Sequence, residues 1–158
     1  MVPTEAGGSG LGPRAFAAVI ATLAEADASV AMVYLMHVLG AATIAAARPG
    51  ATVAPTLQEI AAGRHLTTLA FREAGSRSHF WTPISRARQN SSGVHITAKK
   101  SWGTSAGHAQ SYVVSSLAPE GSGPTDSTLY LIPAGTPGLS VTGPCDGSGC
   151  ARTLPRLQ

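Results

Sequence analysis

Charged residues are scarce in this chain. They make up 12% of its 158 residues, whereas a globular protein usually has about 25%. The hydrophobic share of 44% is compatible with a globular core. So little charge leaves few groups to solvate a free surface, and we therefore expect something else to cover much of that surface.

Positive charge is also too sparse and scattered for a nucleic-acid-binding protein. The net charge is +3, and the basic residues form only short pairs such as Lys99-Lys100. Nucleic-acid binding typically requires a basic stripe or patch. We expect no nucleic-acid partner, whereas a mild basic bias suits a phosphorylated ligand.

Cysteine is nearly absent, and no metal-ligand pattern is visible. The two cysteines, Cys145 and Cys150, lie near the end of the sequence. Structural zinc requires four ligands, and the histidines show no ligand spacing, so we predict no metal site. The cysteine spacing allows a small disulfide loop, but nothing else indicates secretion. The first residues do not resemble a signal peptide, and we expect a cytoplasmic protein.

The first 65 residues have the periodicity of α-helices. Pro13 suits the first position of a helix, and apolar residues follow it at helical spacing. Asp27 or Ser29 is suited to cap the next helix. A short third helix is predicted to begin with Thr56 as its N-cap and to end at Gly63.

The most apolar stretch of the sequence is Ala28–Ala47. It is long enough to span a bilayer, but it is rich in alanine and Tyr34 is its only aromatic residue. A helix that is apolar on all sides lies deep in a protein or in lipid. We interpret this one as a buried helix of a bundle, with a membrane anchor as the alternative, and His37 as a hydrogen-bonded core residue.

After residue 65 the pattern changes from helical to alternating, which is typical of strands. The predicted strands are Leu66–Phe71, His79–Arg88, Val94–Thr97, Ser111–Leu117, Thr128–Ile132 and Leu139–Val141. We therefore predict an α+β protein, with a partial helical domain over 1–65, a β domain over 66–142 and an aberrant tail over 143–158.

Two loops rich in Gly, Ser and Thr, Arg72–Arg77 and Lys100–Ser105, lie next to predicted strands. A few such polar groups are enough to orient a ligand in a mostly apolar site. The loops resemble the flavin-contacting loops of the acyl-CoA dehydrogenases, which carry Thr/Ser-Glu-x-x-x-Gly-Ser-Asp and Lys-x-Trp-Ile-Thr-Asn. Here the first loop is two residues shorter, and arginine replaces both its leading hydroxyl residue and its aspartate. Ser76–Trp81 matches the Ser-Arg-Ser-His-Phe-Trp of one subgroup of the family.

The resemblance implies a fold, a cofactor and a set of binding residues. The fold is the later helices of the family's first domain followed by its middle β-barrel domain, and the cofactor is FAD. The residues assigned to the cofactor are Phe71, Arg72, Gly75, Ser76, Trp102 and Thr104. Trp102 is expected against the flavin ring and Thr104 near flavin N5. Ser76 is also expected to contact the acyl-CoA substrate.

The resemblance also implies the α,β-dehydrogenation of an acyl-CoA thioester, in which a carboxylate takes the α-proton and hydride leaves to flavin N5. In the family the base lies in a C-terminal helical domain, and none of the eight carboxylates here matches it. We therefore expect no catalytic residue in this chain, a truncated and inactive fragment, and homo-oligomers in the intact family; the electron acceptor is not specified. The alternatives are a non-catalytic flavin- or CoA-binding fragment and a membrane-anchored β domain.

Two departures from the family carry their own expectations. Arg72 is large and always charged, with donors but no acceptor, so we predict that it weakens FAD binding and that Arg72→Ser strengthens it. The tail over 143–158 departs from the family's Gly-Pro-Trp-Asp-Gly-Leu-Gly-Leu-Arg. With GC-rich codons, another reading frame of Cys150–Pro155 encodes the family-like Leu-Arg-Ala-Asp-Ala-Pro. We interpret the tail as an out-of-frame end.

Overall fold

The computed structural model describes residues 1–158 except 77, 78, 80, 92, 124, 142–150 and 155–158, and it describes 151–154 by their backbone alone. Both cysteines, and hence the disulfide that their spacing allows, lie outside the described residues. The helices are α1 (Pro13–Ala26), α2 (Ala28–Ala45) and α3 (Val53–Ala61), after a short 3-10 helix over Thr4–Ala6. The strands are β1 (Thr67–Ala70), β2 (Ala87–Asn90), β3 (Gly93–Ile96), β4 (Lys100–Thr104), β5 (Ser111–Leu117), β6 (Ser127–Pro133) and β7 (Ala151–Leu154).

The helix boundaries follow the predicted caps in two of three cases. Helix α1 begins at Pro13, as expected. Asp27 caps α2, since its carboxylate accepts hydrogen bonds from the backbone N–H groups of Ser29 at 2.7 Å and Val30 at 3.1 Å. The predicted start of α3 at Thr56 is wrong, because the helix already begins at Val53. The proline that follows lies in its first turn, where a missing N–H removes no helical hydrogen bond.

Helix α2 is much less buried than its composition predicts. The buried residues are Ala31, Gly40, Ala41 and Ile44, and 22% of the helix is buried. At Gly40 the backbone lies so close to β1 that an added Cβ would stand 2.9 Å from Cγ2 of Thr67. The prediction of a helix buried on all sides is therefore wrong, because only one stripe is buried and the other residues are half-buried or exposed. By length and composition alone, α2 is able to cross a membrane.

The strands form one three-stranded sheet and two ribbons. In the sheet, β5 lies in the centre, parallel to β1 and antiparallel to β6. The ribbons are the antiparallel pairs β2–β3 and β4–β7. Within the described residues these three sheets do not show a closed barrel.

Strand β5 separates two hydrophobic clusters. Val113 contacts the helical side, where Ile44 and Leu57 are buried. Tyr112 and Val114 belong to the cluster on the other side. This division follows from the strand geometry, because successive side chains point to opposite faces.

The long strand predicted over His79–Arg88 is wrong for most of its length. Only its end lies in β2, and the N–H groups of Ile84 and Ser85 donate to the carboxylate of Glu73 at 3.3 and 2.8 Å. These donors are thus used by a side chain instead of a neighbouring strand. The carboxylate of Glu73 thus competes with a strand as the acceptor for these N–H groups, and hydrophobic periodicity does not predict such a contact.

Two further predictions along the β part are also wrong. Lys100–Thr104, predicted as a loop, is strand β4. Leu139–Val141, predicted as a strand, has no strand conformation, and the N–H of Leu139 instead closes a turn onto the carbonyl of Thr136 at 3.0 Å. Strand β7 pairs with β4 and lies in the tail that we interpret as out of frame. The reading frame of the tail stays a prediction.

Candidate functional site

A buried ion pair connects the two loops of the motif. The Nζ of Lys100 donates to Oε1 of Glu73 at 2.6 Å, and both side chains are buried. Glu73 belongs to the first loop, and Lys100 begins the second. Their backbones also form an isolated β-bridge. The relative position of the loops is therefore fixed by both main chain and side chain.

Both charges of this pair have further hydrogen-bond partners. The Nζ of Lys100 also donates to the carbonyl oxygens of Phe71, at 3.2 Å, and Ser115. The carboxylate of Glu73 accepts from Oγ of Ser85 at 2.7 Å, in addition to the two N–H groups described above. Burial lowers the pKa of Lys100, and its hydrogen bond to Glu73 opposes that shift. Buried charges are tolerated when they are paired and saturated in this way.

Arg72 stacks on the indole of Trp102 and joins the loops a second time. Its guanidinium carbon lies 5.3 Å from the centroid of the Trp102 ring, a cation–π distance. Its carbonyl oxygen accepts a hydrogen bond from the N–H of Ser101 at 2.9 Å. Its Nε is buried and has no hydrogen-bond partner among the described residues.

The second loop contains two non-glycine residues in the left-handed region. Trp102 has φ of 61° and Ser105 has φ of 60°. Such a conformation is uncommon outside glycine, and strained residues of this kind cluster at ligand sites and switches. Trp102 is also 60% exposed. Core packing does not explain a strained backbone whose indole side chain is exposed to solvent.

The first loop contains a glycine and a serine that the resemblance assigned to the ligand. Gly75 has φ of 92°, which explains glycine here by conformation. An added Cβ would meet only Cδ1 of Ile84, at 3.7 Å. Ser76 is 8% exposed, and its Oγ is buried with no partner among the described residues. A buried hydroxyl without a partner is costly, and a ligand oxygen or nitrogen would satisfy it.

The remaining two predicted site residues lie at the edges of this region. The carbonyl oxygen of Phe71 accepts from both Lys100 Nζ and Ser115 Oγ, each at 3.2 Å. Its two lone pairs are therefore in use, and only its N–H is available to a ligand. Thr104 is buried at the end of β4. The ligand contacts of these residues, like those of the other four, stay predictions.

Sequence reasoning missed the residues that hold the loops together. Ser85 and Ser115 come from segments far from either motif, and their hydroxyls become important only once the fold brings them to Glu73 and Lys100. The available signal was the presence of one lysine and one glutamate in two loops of a charge-poor chain. When a lysine and a glutamate are both buried, they often form an ion pair with each other.

His37 has the structural role that the sequence predicted. Its Nδ1 accepts a hydrogen bond from the N–H of Thr67 at 3.2 Å, which connects α2 to β1. Burial lowers the pKa of His37, and the carbonyl oxygen of Thr67, 3.4 Å from Nδ1, opposes the shift. Nearby, Nε2 of His65 lies 2.7 Å from Oγ of Ser111. The pKa of His65 is lowered first by burial and then by the charge of His37.

Several carboxylates of the described residues have structural partners. These are Glu73 with Lys100, Glu59 with Arg64, Asp27 with the start of α2, and Asp126 with the turn at Ser122 and Gly123. Asp146 lies outside the described residues. No group of three or more His, Cys, Asp or Glu side chains in the described part of the chain is able to hold a metal ion.

No protein-family model and no curated protein matches this chain, but solved structures do. The FAD complex of PigA matches with a TM-score of 0.83 and 21% identity, covering 99% of this chain and 43% of its own. A structure of the electron transferring flavoprotein of Acidaminococcus fermentans matches with a TM-score of 0.86 and 18% identity over 99% and 42%. Butyryl-CoA dehydrogenase from Megasphaera elsdenii matches with a TM-score of 0.78 and 22% identity over 87% and 38%.

This chain thus spans less than half the length of each of these structures. Identities this low show the fold alone. The three helices and the sheets of this chain correspond to a segment of those longer folds, with the helical part first. The resemblance inferred from the two loops is therefore confirmed as a fold, and the chain has the α+β fold of the acyl-CoA dehydrogenases over the part that it spans.

Proposed function

We propose that this chain is the flavin-binding part of an FAD-dependent acyl-CoA dehydrogenase. The observation that carries the proposal is the exposed Trp102, held in a left-handed conformation beside a loop whose Ser76 Oγ has no partner. Both residues occupy positions that the resemblance assigns to the flavin. The fold and the motif therefore support the same site independently.

The described residues offer chemical groups that suit an isoalloxazine ring. Trp102 offers an aromatic face, and Ser76 offers a hydroxyl that lacks a partner. The N–H groups of Phe71 and Arg72 and the hydroxyl of Thr104 supply the remaining polar contacts in this proposal. FAD, when bound, supplies the hydride acceptor. The protein contributes position and electrostatics.

The substrate and partners belong to the same proposal. An acyl-CoA thioester is the substrate class of the butyryl-CoA dehydrogenase that shares the fold. An electron transferring flavoprotein is a fitting acceptor, because a structure of that description also shares the fold. We further propose a cytoplasmic location for the protein.

Flavin titration of the purified 158-residue chain tests the proposal. We expect a perturbed visible flavin spectrum and saturable FAD binding, which Trp102→Ala weakens by about tenfold or more, since stacking on an aromatic side chain contributes about 1–3 kcal/mol. Trp81→Ala is the matched control, because Trp81 is also 60% exposed but stacks on His79 and is not assigned to the flavin. Equal losses in both variants, or no binding by the unaltered chain, would contradict the proposal.

A second candidate is a flavin-binding module without catalysis. It is favoured by the structural partners of Glu73, Glu59, Asp27 and Asp126, which leave these carboxylates without a free role as base. Titration of the FAD-loaded chain with an acyl-CoA separates the two candidates. A change in the flavin spectrum on addition of the acyl-CoA supports the dehydrogenase part, and FAD binding without that response supports the module.

A further inference from the structure

Arg72 carries a positive charge that no carboxylate of the described residues balances. Within the described residues, no carboxylate lies within salt-bridge distance of its guanidinium. Its neighbour Glu73 is fully engaged by Lys100 and Ser85. The Trp102 face attracts the cation but provides no hydrogen-bond acceptor. Among the described residues the buried Nε therefore has no acceptor and the guanidinium has no carboxylate partner.

The position of this charge is fixed by the backbone. The carbonyl oxygen of Arg72 is held by Ser101, and the residue before it is held by Lys100. The guanidinium lies over the ring of the exposed Trp102. A flavin that accepts a hydrogen bond from the N–H of Arg72, as in the proposed site, therefore has this guanidinium as a neighbour.

We propose that Arg72 discriminates between the redox forms of the flavin and favours the reduced, anionic form. This inference rests on the proposed function, in which the family resemblance implies that the backbone of Phe71 and Arg72 faces the pyrimidine edge, N1–C2=O. Reduction places negative charge at this edge. The oxidised ring is neutral and gains little from a nearby cation, while it must accommodate a bulky side chain. Charge close to this edge is one of the means by which proteins tune flavin electronics.

Arg72 therefore has two opposite effects on flavin binding. Together they explain an arginine at a position where the family has threonine or serine. It weakens binding of oxidised FAD, as its size and charge predict. It strengthens binding of the reduced form through a charge-assisted hydrogen bond. By linkage, a group that binds the reduced form more tightly than the oxidised form makes the flavin easier to reduce.

Sulfite provides a probe that does not depend on turnover. It donates an electron pair to flavin N5, an N–S bond forms, and the ring gains two electrons with its negative charge over N1–C2=O. No further oxidant or reductant takes part. The dissociation constant of sulfite, read from the loss of flavin absorbance, thus reports how well the site stabilises negative charge at that edge.

The experiment compares the FAD-loaded chain with Arg72→Met, and uses Arg72→Gln if the methionine variant does not fold. Arg48→Met is the matched control, because Arg48 is exposed after α2 and loses the same charge. We expect the sulfite dissociation constant to rise roughly tenfold to hundredfold in the Arg72 variants, the FAD dissociation constant to fall, and Arg48→Met to change neither. The reduction potential of the flavin should become more negative in the Arg72 variants only.

The outcomes separate this inference from the proposed function. If FAD binds to all variants and the sulfite dissociation constant is the same with and without Arg72, the inference is wrong and the proposed function stands. If the unaltered chain binds no FAD, both are wrong. A similar rise in Arg48→Met would assign the effect to net charge and would also overturn the role of Arg72.

Discussion

Strand β5 and helix α2 reverse the usual relation between hydropathy and burial. Strand β5 contains three serines among its seven residues, yet Ser111–Ser116 is entirely buried. Helix α2 has a mean hydropathy of 1.7, yet only 22% of it is buried. Burial in this chain is decided by what each element has beside it, and much less by its own composition.

The serines of β5 are tolerated because each has a partner. The Oγ of Ser111 donates to Oγ1 of Thr67 at 2.9 Å, and that of Ser116 donates to the carbonyl of Ser85 at 3.0 Å. The Oγ of Ser115 donates to the carbonyl of Phe71. Buried hydroxyls with partners add specificity at little cost, whereas unpaired ones destabilise. Helix α2 shows the opposite case, since its apolar side chains Val30, Met32 and Val33 are exposed although they would be cheap to bury.

Removal of one charge beside β5 should have the largest effect on stability. Glu73→Ala leaves the buried Lys100 without its counter-ion, and we expect a loss of about 3–5 kcal/mol in the free energy of unfolding. Denaturant unfolding measures this loss. Glu59→Ala is the control, because it breaks the exposed pair with Arg64 at 2.7 Å and should change stability little. Similar effects of the two substitutions would contradict the structural role of the buried pair.

Sequence reasoning succeeded where local signals decide structure. The Asp27 cap, the Pro13 start and the strand Ser111–Leu117 are all encoded within a few residues, and the structure follows them. It failed at residues 79–86, where a distant carboxylate takes the backbone donors. Of the candidate site, the two motif segments were recognisable from sequence, although the second is a strand and not a loop. The Glu73–Lys100 contact, and the stacking of Arg72 on Trp102, depend on the folded arrangement.

Acid should loosen the junction between α2 and the sheet by an intermediate amount. The pKa values of His37 and His65 are lowered in the folded state, chiefly by burial, while an unfolded histidine takes up its proton at about pH 6.5. The unfolded chain therefore binds more protons below that pH. The stability contribution is complete above about pH 6.5 and is lost as the pH falls towards the folded pKa values.

Unfolding measured between about pH 7 and pH 5 tests this prediction. The double variant His37→Asn, His65→Gln keeps an acceptor for Thr67 and a donor for Ser111, but it cannot titrate. We expect its stability to vary less over this range. An equally steep loss in the double variant would place the acid sensitivity elsewhere.

The smallest effect on stability is expected on the uncovered face of α2. Val33 is 40% exposed, whereas Val114 in β5 is 0% exposed. We expect Val33→Ser to change the free energy of unfolding by no more than about 0.5 kcal/mol, as for most surface substitutions. Val114→Ser removes buried methyl groups and adds a hydroxyl, so it should destabilise far more. Comparable losses would mean that α2 is covered in solution.

Membrane fractionation distinguishes the two occupants that such a face could have. A helix that crosses a membrane would hold the protein in the pellet through alkaline and salt washes, and Val33→Ser would weaken that retention. We expect the chain to be released by these washes, for two reasons. Alanine and glycine form the stripe that contacts β1, and Nδ1 of His37 is hydrogen-bonded to Thr67. These contacts place protein against one side of α2. Lipid around the other side of the helix would separate the sheet that contains β5 from the rest of the protein. Retention through both washes would show that α2 is an anchor, and that its low burial reflects lipid instead of a missing protein neighbour.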